Sequence, residues 1–171
     1  MQRYDFPEEE EPINLKYKIG DIVPKMPEIE NLTFVFAFDY LSLKQTQYCF
    51  DNPNITKDDF IKIYKLKKEL AKISVKDIQD RLKQRFHFHS IDLNTKTFLL
   101  KPFKELLNYP HNIEVYKLPS LYQIAVYTDK SSDKSSDKAP RIVGFFGKHA
   151  VFHILWLDYE HNIYKVPEKY R

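Results

Sequence analysis

The chain has 171 residues, a formal net charge of +3, 43% hydrophobic and 15% aromatic residues, enough for one domain with a real core and too rich in rings for intrinsic disorder. Its three glycines exclude the glycine-rich phosphate cradles G-x-G-x-x-G and G-x-x-x-x-G-K, and its one cysteine, Cys49, excludes an internal disulfide or a multi-cysteine zinc site. The charge is low for a dedicated double-stranded DNA binder, and no apolar run reaches the roughly 20 residues of a membrane-spanning helix; a cytoplasmic protein without a signal peptide or membrane partner is expected.

Residues 1–30 are acidic and proline-bearing, with Glu8 to Glu11 beside Pro7, Pro12, Pro24 and Pro27. They read as an extension, either a docked arm or a free tail, ahead of a single domain over 31–171. "NLTFVFAFDYLSL" alternates, placing Phe34, Phe36, Phe38 and Tyr40 on one face and Val35, Ala37 and Asp39 on the other, so it predicts a strand. "DNPNI" breaks the chain.

Two helices follow. Thr56 with Asp59 three residues on has the form of a capping box, and Phe60, Ile63, Tyr64, Leu70 and Ile73 recur at helical spacing. Ser74 with Asp77 repeats the device ahead of Val75, Ile78, Leu82 and Phe86. A new cap at Ser74 requires a break near Ile73, which predicts a helical hairpin. Lys62, Lys65, Lys68, Lys72, Lys76, Arg81 and Lys83 cover the outward surface, as a solvated face or a binding one.

"RFHFHSIDL" predicts a second strand, residues 94–120 read as irregular with one helical turn near Phe103 to Leu107, and "LYQIAVYT" predicts a third strand. "DKSSDKSSDKAP" repeats the tetrad SSDK, carries no apolar residue before Ala139 and reads as a mobile loop over 129–140. "RIVGFF", a turn at Gly147-Lys148, and "AVFHILWL" predict a β-hairpin, with a turn at "DYEHNIY". The order strand, helix pair, strands predicts an α+β domain with a mostly antiparallel sheet and the helical hairpin on one face.

Three of the six histidines fall in the most apolar stretch, 141–164. On one predicted strand, His87 and His89 share a face; they would serve as proton-transfer groups, as a metal pair completed by Asp92 or His153, or simply as polar positions between Phe86 and Phe88. His153 would share a face with Val151, Leu155 and Leu157, either as a hydrogen-bonded core residue or opening onto a cleft. Metal-independent RNA cleavage needs a base for the 2′-hydroxyl, an acid for the leaving oxygen and a cation for the phosphorane. His161, His87, Tyr164, Arg85 and Arg141 are the candidates for these roles, and Arg81, His89, His153 and Lys165 for contacts to RNA or a partner; neither cofactor nor metal is called for. The bland alternative makes "LDYEHNIY" a turn whose Tyr164 caps the sheet. Cys49 reads as a buried thiol.

The segments "FVFAFDY", Thr56 to Phe86, "YQIAVYT", "RIVGFF" and "FHILWLDYEHNIY", about half of the chain, resemble in order the RelE/ParE superfamily of small bacterial toxins. The resemblance implies an RNA-directed toxin–antitoxin or phage-defence protein, an endoribonuclease of RelE-like shape, with a cognate antitoxin as partner. The alternative class is a non-enzymatic interaction module such as an antitoxin, immunity protein or phage-encoded inhibitor, which the modest charge favours. A further expectation is that Glu8 to Glu11 cover the basic face in cis.

Overall fold

The computed structural model describes residues 25–43, 48–127 and 140–164. The acidic stretch at Glu8 to Glu11, most of the predicted mobile loop, and Lys165 lie outside these residues, so the expectations for them do too.

The fold is α+β. Five strands form one sheet, β1 (Val35–Ala37), β2 (His89–Ile91), β3 (Leu121–Ala125), β4 (Arg141–Phe146) and β5 (Val151–Asp158), in the order β1-β5-β4-β3-β2. Every neighbouring pair is antiparallel except β1 with β5. The first helix, α1 (Met26–Ile29), is a single turn with proline in its opening positions, and its Ile29 is already part of the core.

Local chemistry starts the next two helices as expected. Thr56 caps α2 (Lys57–Leu70): its hydroxyl accepts from the Asp59 N–H at 3.3 Å, while the Asp59 carboxylate accepts from the Thr56 N–H at 2.9 Å. Ser74 caps α3 (Val75–Asp80) through the Asp77 N–H at 3.0 Å, and the break at Ala71 to Ser74 turns the pair into a hairpin. Ile63, Leu66, Leu70, Val75 and Ile78 are buried against Phe34, Phe36, Ile142, Phe152 and Ile154 on one face of the sheet. A further turn, α4 (Lys83–Phe86), occupies the start of the stretch predicted as strand, and only His89–Ile91 pairs in the sheet.

The opposite face has its own cover. A 3₁₀ turn at Thr97–Leu99 leads into α5 (Leu100–Leu106), longer than the single turn predicted and beginning ahead of it. Pro102 is tolerated there because a helix's first turn has no partners for its N–H groups. Leu99, Phe103 and Leu107 form a buried stripe against Leu121, Val143, Phe145 and Trp156. Lys104 is buried, and its ammonium donates to the carbonyls of His111 at 2.8 Å and Ile113 at 2.7 Å, tying the chain after α5 back onto the helix.

Two alternations read from sequence break in space. The register between β4 and β5 slips at Val143/Gly144, leaving Leu155 as an extra residue between Ile154, opposite Gly144, and Trp156, opposite Val143. Leu155 stays with His153 on the α5 side, Trp156 joins it there, and Leu157 joins Phe152 and Ile154 on the helical-hairpin side, whereas strict alternation puts Leu157 with His153 and Leu155. At the other edge, β1 ends at Ala37; Phe38 is exposed, and Tyr40 crosses to the α5 side instead of following Phe34 and Phe36.

Candidate functional site

Leaving the sheet at Ala37 has a consequence for the surface. The segment after β1 runs on beside β5, with the Ser42 N–H donating to the Leu155 carbonyl at 3.0 Å and the Leu157 N–H donating to that of Tyr48 at 3.1 Å. It is fixed from beneath by Asp39, whose carboxylate accepts from His153 Nδ1 at 2.8 Å. His153 is itself buried, stacked on Phe145 and edge-on to Tyr40. It therefore acts as a core residue holding this segment, not as a group opening onto a cleft.

Between the anchored segment and α2 lies a groove of about 450 Å³, walled by Phe38, Leu41, Leu43, Phe50, Phe60 and Tyr64 with Ile63 at its floor. These side chains are unusually open: Phe38 is 43% exposed, Leu43 69%, Phe60 41% and Tyr64 64%. Phe60 and Tyr64 recur with Ile63 and Leu70 at helical spacing, yet they are not buried with them. At 100° per residue they lie to one side of the line that Ile63, Leu66 and Leu70 bury, so α2 carries two apolar strips, one for the core and one for the groove. Lys57, Lys67 and Lys68 flank that second strip, all exposed, and the Lys67 ammonium sits 5.9 Å from the Phe38 ring centroid, reaching across the groove. Asp51 is the acidic residue lining it.

The second candidate place is the end of the sheet on the α5 side. Opposite each other on β4 and β5, Arg141 and Asp158 are both buried. Burial pulls the Arg141 guanidinium down from its ordinary range, and the Asp158 charge opposes that. Asp158 also accepts from the N–H groups of Asn162 at 2.7 Å and Ile163 at 2.9 Å, which sets the final turn. His161 closes the turn with φ of 57°. Tyr164 then lies against His161 (centroids 6.0 Å apart) and His89 (5.3 Å), with the Lys96 ammonium 4.7 Å from its own centroid. Burial first, and the Asp92 charge second, push the Tyr164 phenol above its usual range. His89 donates from Nδ1 to the Ser90 carbonyl at 3.1 Å, which leaves Nε2 to accept from the Gln123 amide nitrogen at 2.7 Å. The buried Gln123 Oε1 has no partner among the described residues.

Of the residues picked out in the sequence, His89 and His161 thus meet through Tyr164, while Arg141 is buried opposite Asp158. The others are elsewhere. Arg85 lies on the helical-hairpin side, ion-paired with Glu69, and Arg81 pairs with Asp77 at 3.6 Å on the exposed end of α3. His87 is not on a strand beside His89: it ends α4 in the left-handed region with φ of 44°, exposed. Among the described residues no group of three His, Cys, Asp or Glu is placed to hold a metal ion.

Three histidines, His87, His149 and His161, have positive φ. Histidine is among the non-glycine residues enriched in this conformation. In the C-terminal stretch, then, two of the three histidines turn the chain: His149 within the β4–β5 connection, which spans Gly147 to Ala150 and not only Gly147-Lys148, and His161 after β5. Cys49 is buried, its thiol near the Ser42 carbonyl and its sulfur accepting from the Asp51 N–H, as a structural thiol would be. The groove was missed from sequence, although four apolar residues in five, Phe60 to Tyr64, are more than one helix face can bury. No helix among the described residues is long and apolar enough to cross a membrane. Comparison of the chain with known protein families, with curated proteins and with solved structures finds no match.

Proposed function

We propose that the protein is an interaction module whose groove beside α2 takes an amphipathic, acidic segment of a partner protein. The observation carrying this reading is the groove itself: about 450 Å³ with Phe38, Leu43, Phe60 and Tyr64 left open to solvent. Exposed apolar concavities of this kind mark sites of recognition, because each ring left in water forgoes roughly 1.5–3 kcal/mol of burial. The volume accepts a few large side chains, as the apolar anchors of a bound helix supply at i, i+3 or i+4, and i+7. Among the described residues Asp51 is the one charged residue lining the groove, while Lys57, Lys67 and Lys68 are exposed on the adjoining strip of α2, Lys67 within reach of the Phe38 ring. Acidic residues flanking the anchors would meet those lysines and basic ones would be repelled by them. An antitoxin, immunity or inhibitor pairing would use such a segment.

The test is a titration with two designed helical peptides sharing one Leu/Phe face, one flanked by glutamates and one by lysines. The acidic peptide is expected to bind and the basic one not, with Leu43→Asp and Tyr64→Glu each weakening the acidic peptide by roughly tenfold or more, about 1.4 kcal/mol. Both residues are surface-exposed, so the variants should keep the wild-type melting temperature. Equal binding of both peptides, or binding untouched by both substitutions, would refute the reading.

A second reading, an RNA-directed protein of the toxin–antitoxin or phage-defence type, is favoured by one observation: His161, Tyr164 and Lys96 stand together. A base, an acid and a cation are the groups that 2′-hydroxyl attack requires. If it holds, purified protein cleaves total RNA in the presence of EDTA, and His161→Ala reduces the rate by about 10²-fold or more. RNA left intact by the wild type argues against it.

A further inference from the structure

On the other flank of α2 is a cavity that neither reading uses. It measures about 210 Å³, with Lys62, Lys65 and Arg85 around it and Glu69 as its one lining carboxylate. Its floor is apolar, made by the buried Leu66, Phe86 and Val126. Two of the cations are placed by rings: the Lys62 ammonium stands 3.9 Å from the Tyr127 centroid, and the Arg85 guanidinium 5.1 Å from that of Phe86. A cation held on a ring face is oriented without being neutralised, so its charge stays available to a ligand. Among the described residues Lys62 and Lys65 have no carboxylate within ion-pair distance, and Arg85 shares Glu69. Among the lining residues three cations stand against one carboxylate over an apolar floor, with Asp59 outside the lining and near enough to Lys62 to feel its charge.

We propose that this cavity is a binding site for a small phosphomonoester, its dianionic phosphoryl group between Lys62, Lys65 and Arg85 and its organic body on the Leu66–Phe86–Val126 floor. The charge balance matches a phosphate dianion, and Arg85, already at the cavity edge, supplies paired N–H donors of the kind that phosphate oxygens accept. The space is that of about seven waters, which holds a phosphoryl group with a short or planar body and not a folded polymer. The site is independent of the groove, since it opens on the opposite side of α2.

The experiment is calorimetric titration of the full chain at low ionic strength with phenyl phosphate, inorganic phosphate and phenol, with ¹⁵N chemical shifts to locate the site. Phenyl phosphate is expected to bind more tightly than inorganic phosphate, phenol not to bind, and the shifts to centre on Lys62, Lys65, Arg85 and Tyr127. Lys65→Gln, an exposed change that leaves the ring contacts and the Glu69 pair in place, should weaken phenyl phosphate by about tenfold; Arg85→Gln should do so at least equally. The proposal is overturned if phenyl phosphate does not bind, if phenol binds as well as its phosphate, or if Lys65→Gln and Arg85→Gln both leave the affinity unchanged. Binding of a 5′-phosphorylated oligonucleotide without binding of phenyl phosphate would also overturn it, by making the ligand a nucleic acid.

Discussion

Gly144→Ala is expected to be the most damaging single-methyl change in the molecule. A Cβ on Gly144 would stand 2.2 Å from the His153 carbonyl oxygen and 2.7 Å from the Phe152 ring, distances that neighbours on β5 relieve only by moving. Neither neighbour is a flexible side-chain tip. The carbonyl belongs to the backbone of a central strand, and Phe152 is packed edge-on to Phe36 and Phe146 and tilted against Phe34. The register slip between β4 and β5 falls at this residue, so a shift here disturbs the faces that Leu155, Trp156 and Leu157 address. The expected cost is about 3 kcal/mol, a fall in Tm of roughly 10 °C for a chain of this size. Thermal and urea denaturation of the purified variant measure it. A loss below about 0.5 kcal/mol would mean that β5 yields at this point.

Asp158→Ala should be as severe for a different reason. Asp158 is fully buried, faces the buried Arg141 and accepts the N–H groups of Asn162 and Ile163. Alanine removes the opposing charge from a desolvated guanidinium and strips two backbone donors of their acceptor, for an expected loss of about 3 kcal/mol or more. Asp158→Asn keeps one acceptor oxygen and should lose less. Adding Arg141→Met to Asp158→Ala should recover part of the loss, since an apolar side chain there needs no counter-charge. A double-mutant cycle by urea denaturation gives the coupling; additive losses would show that the capping contacts, and not the facing charges, carry the effect. The same change loosens the turn holding His161 and Tyr164, so it should also abolish any RNA cleavage by that cluster.

Much of the secondary structure was legible because its causes are short-range. The Thr56–Asp59 and Ser74–Asp77 pairs each act within a single turn, and the helical hairpin follows from the second cap interrupting the first helix. The short strand-forming runs Leu121 to Ala125 and Arg141 to Phe146 are likewise a property of a few consecutive residues. The α+β class with a mostly antiparallel sheet follows from the order of those elements. Less was legible in the candidate sites. His89, His161 and Tyr164 were named and do meet, but Arg85 faces the other way and pairs with Glu69, and nothing within a few residues of Arg85 determines which side of the sheet α4 occupies.

What neighbouring residues could not encode was everything that depends on a surface supplied from far along the chain. Trp156 joins Leu155 on the α5 side because β4 leaves room for an extra residue opposite Val143 and Gly144. Tyr40 crosses the sheet because Phe145 and His153, more than a hundred residues later, provide its contacts. The groove exists because Asp39 is held by His153 at one end while α2 turns only part of its apolar surface inward. Periodicity states which residues are apolar and at what spacing; it does not state how many of them the opposing surface is wide enough to cover. Phe60 and Tyr64 belong to the apolar pattern by sequence and to the exterior by geometry, and the function proposed for this protein rests on that difference.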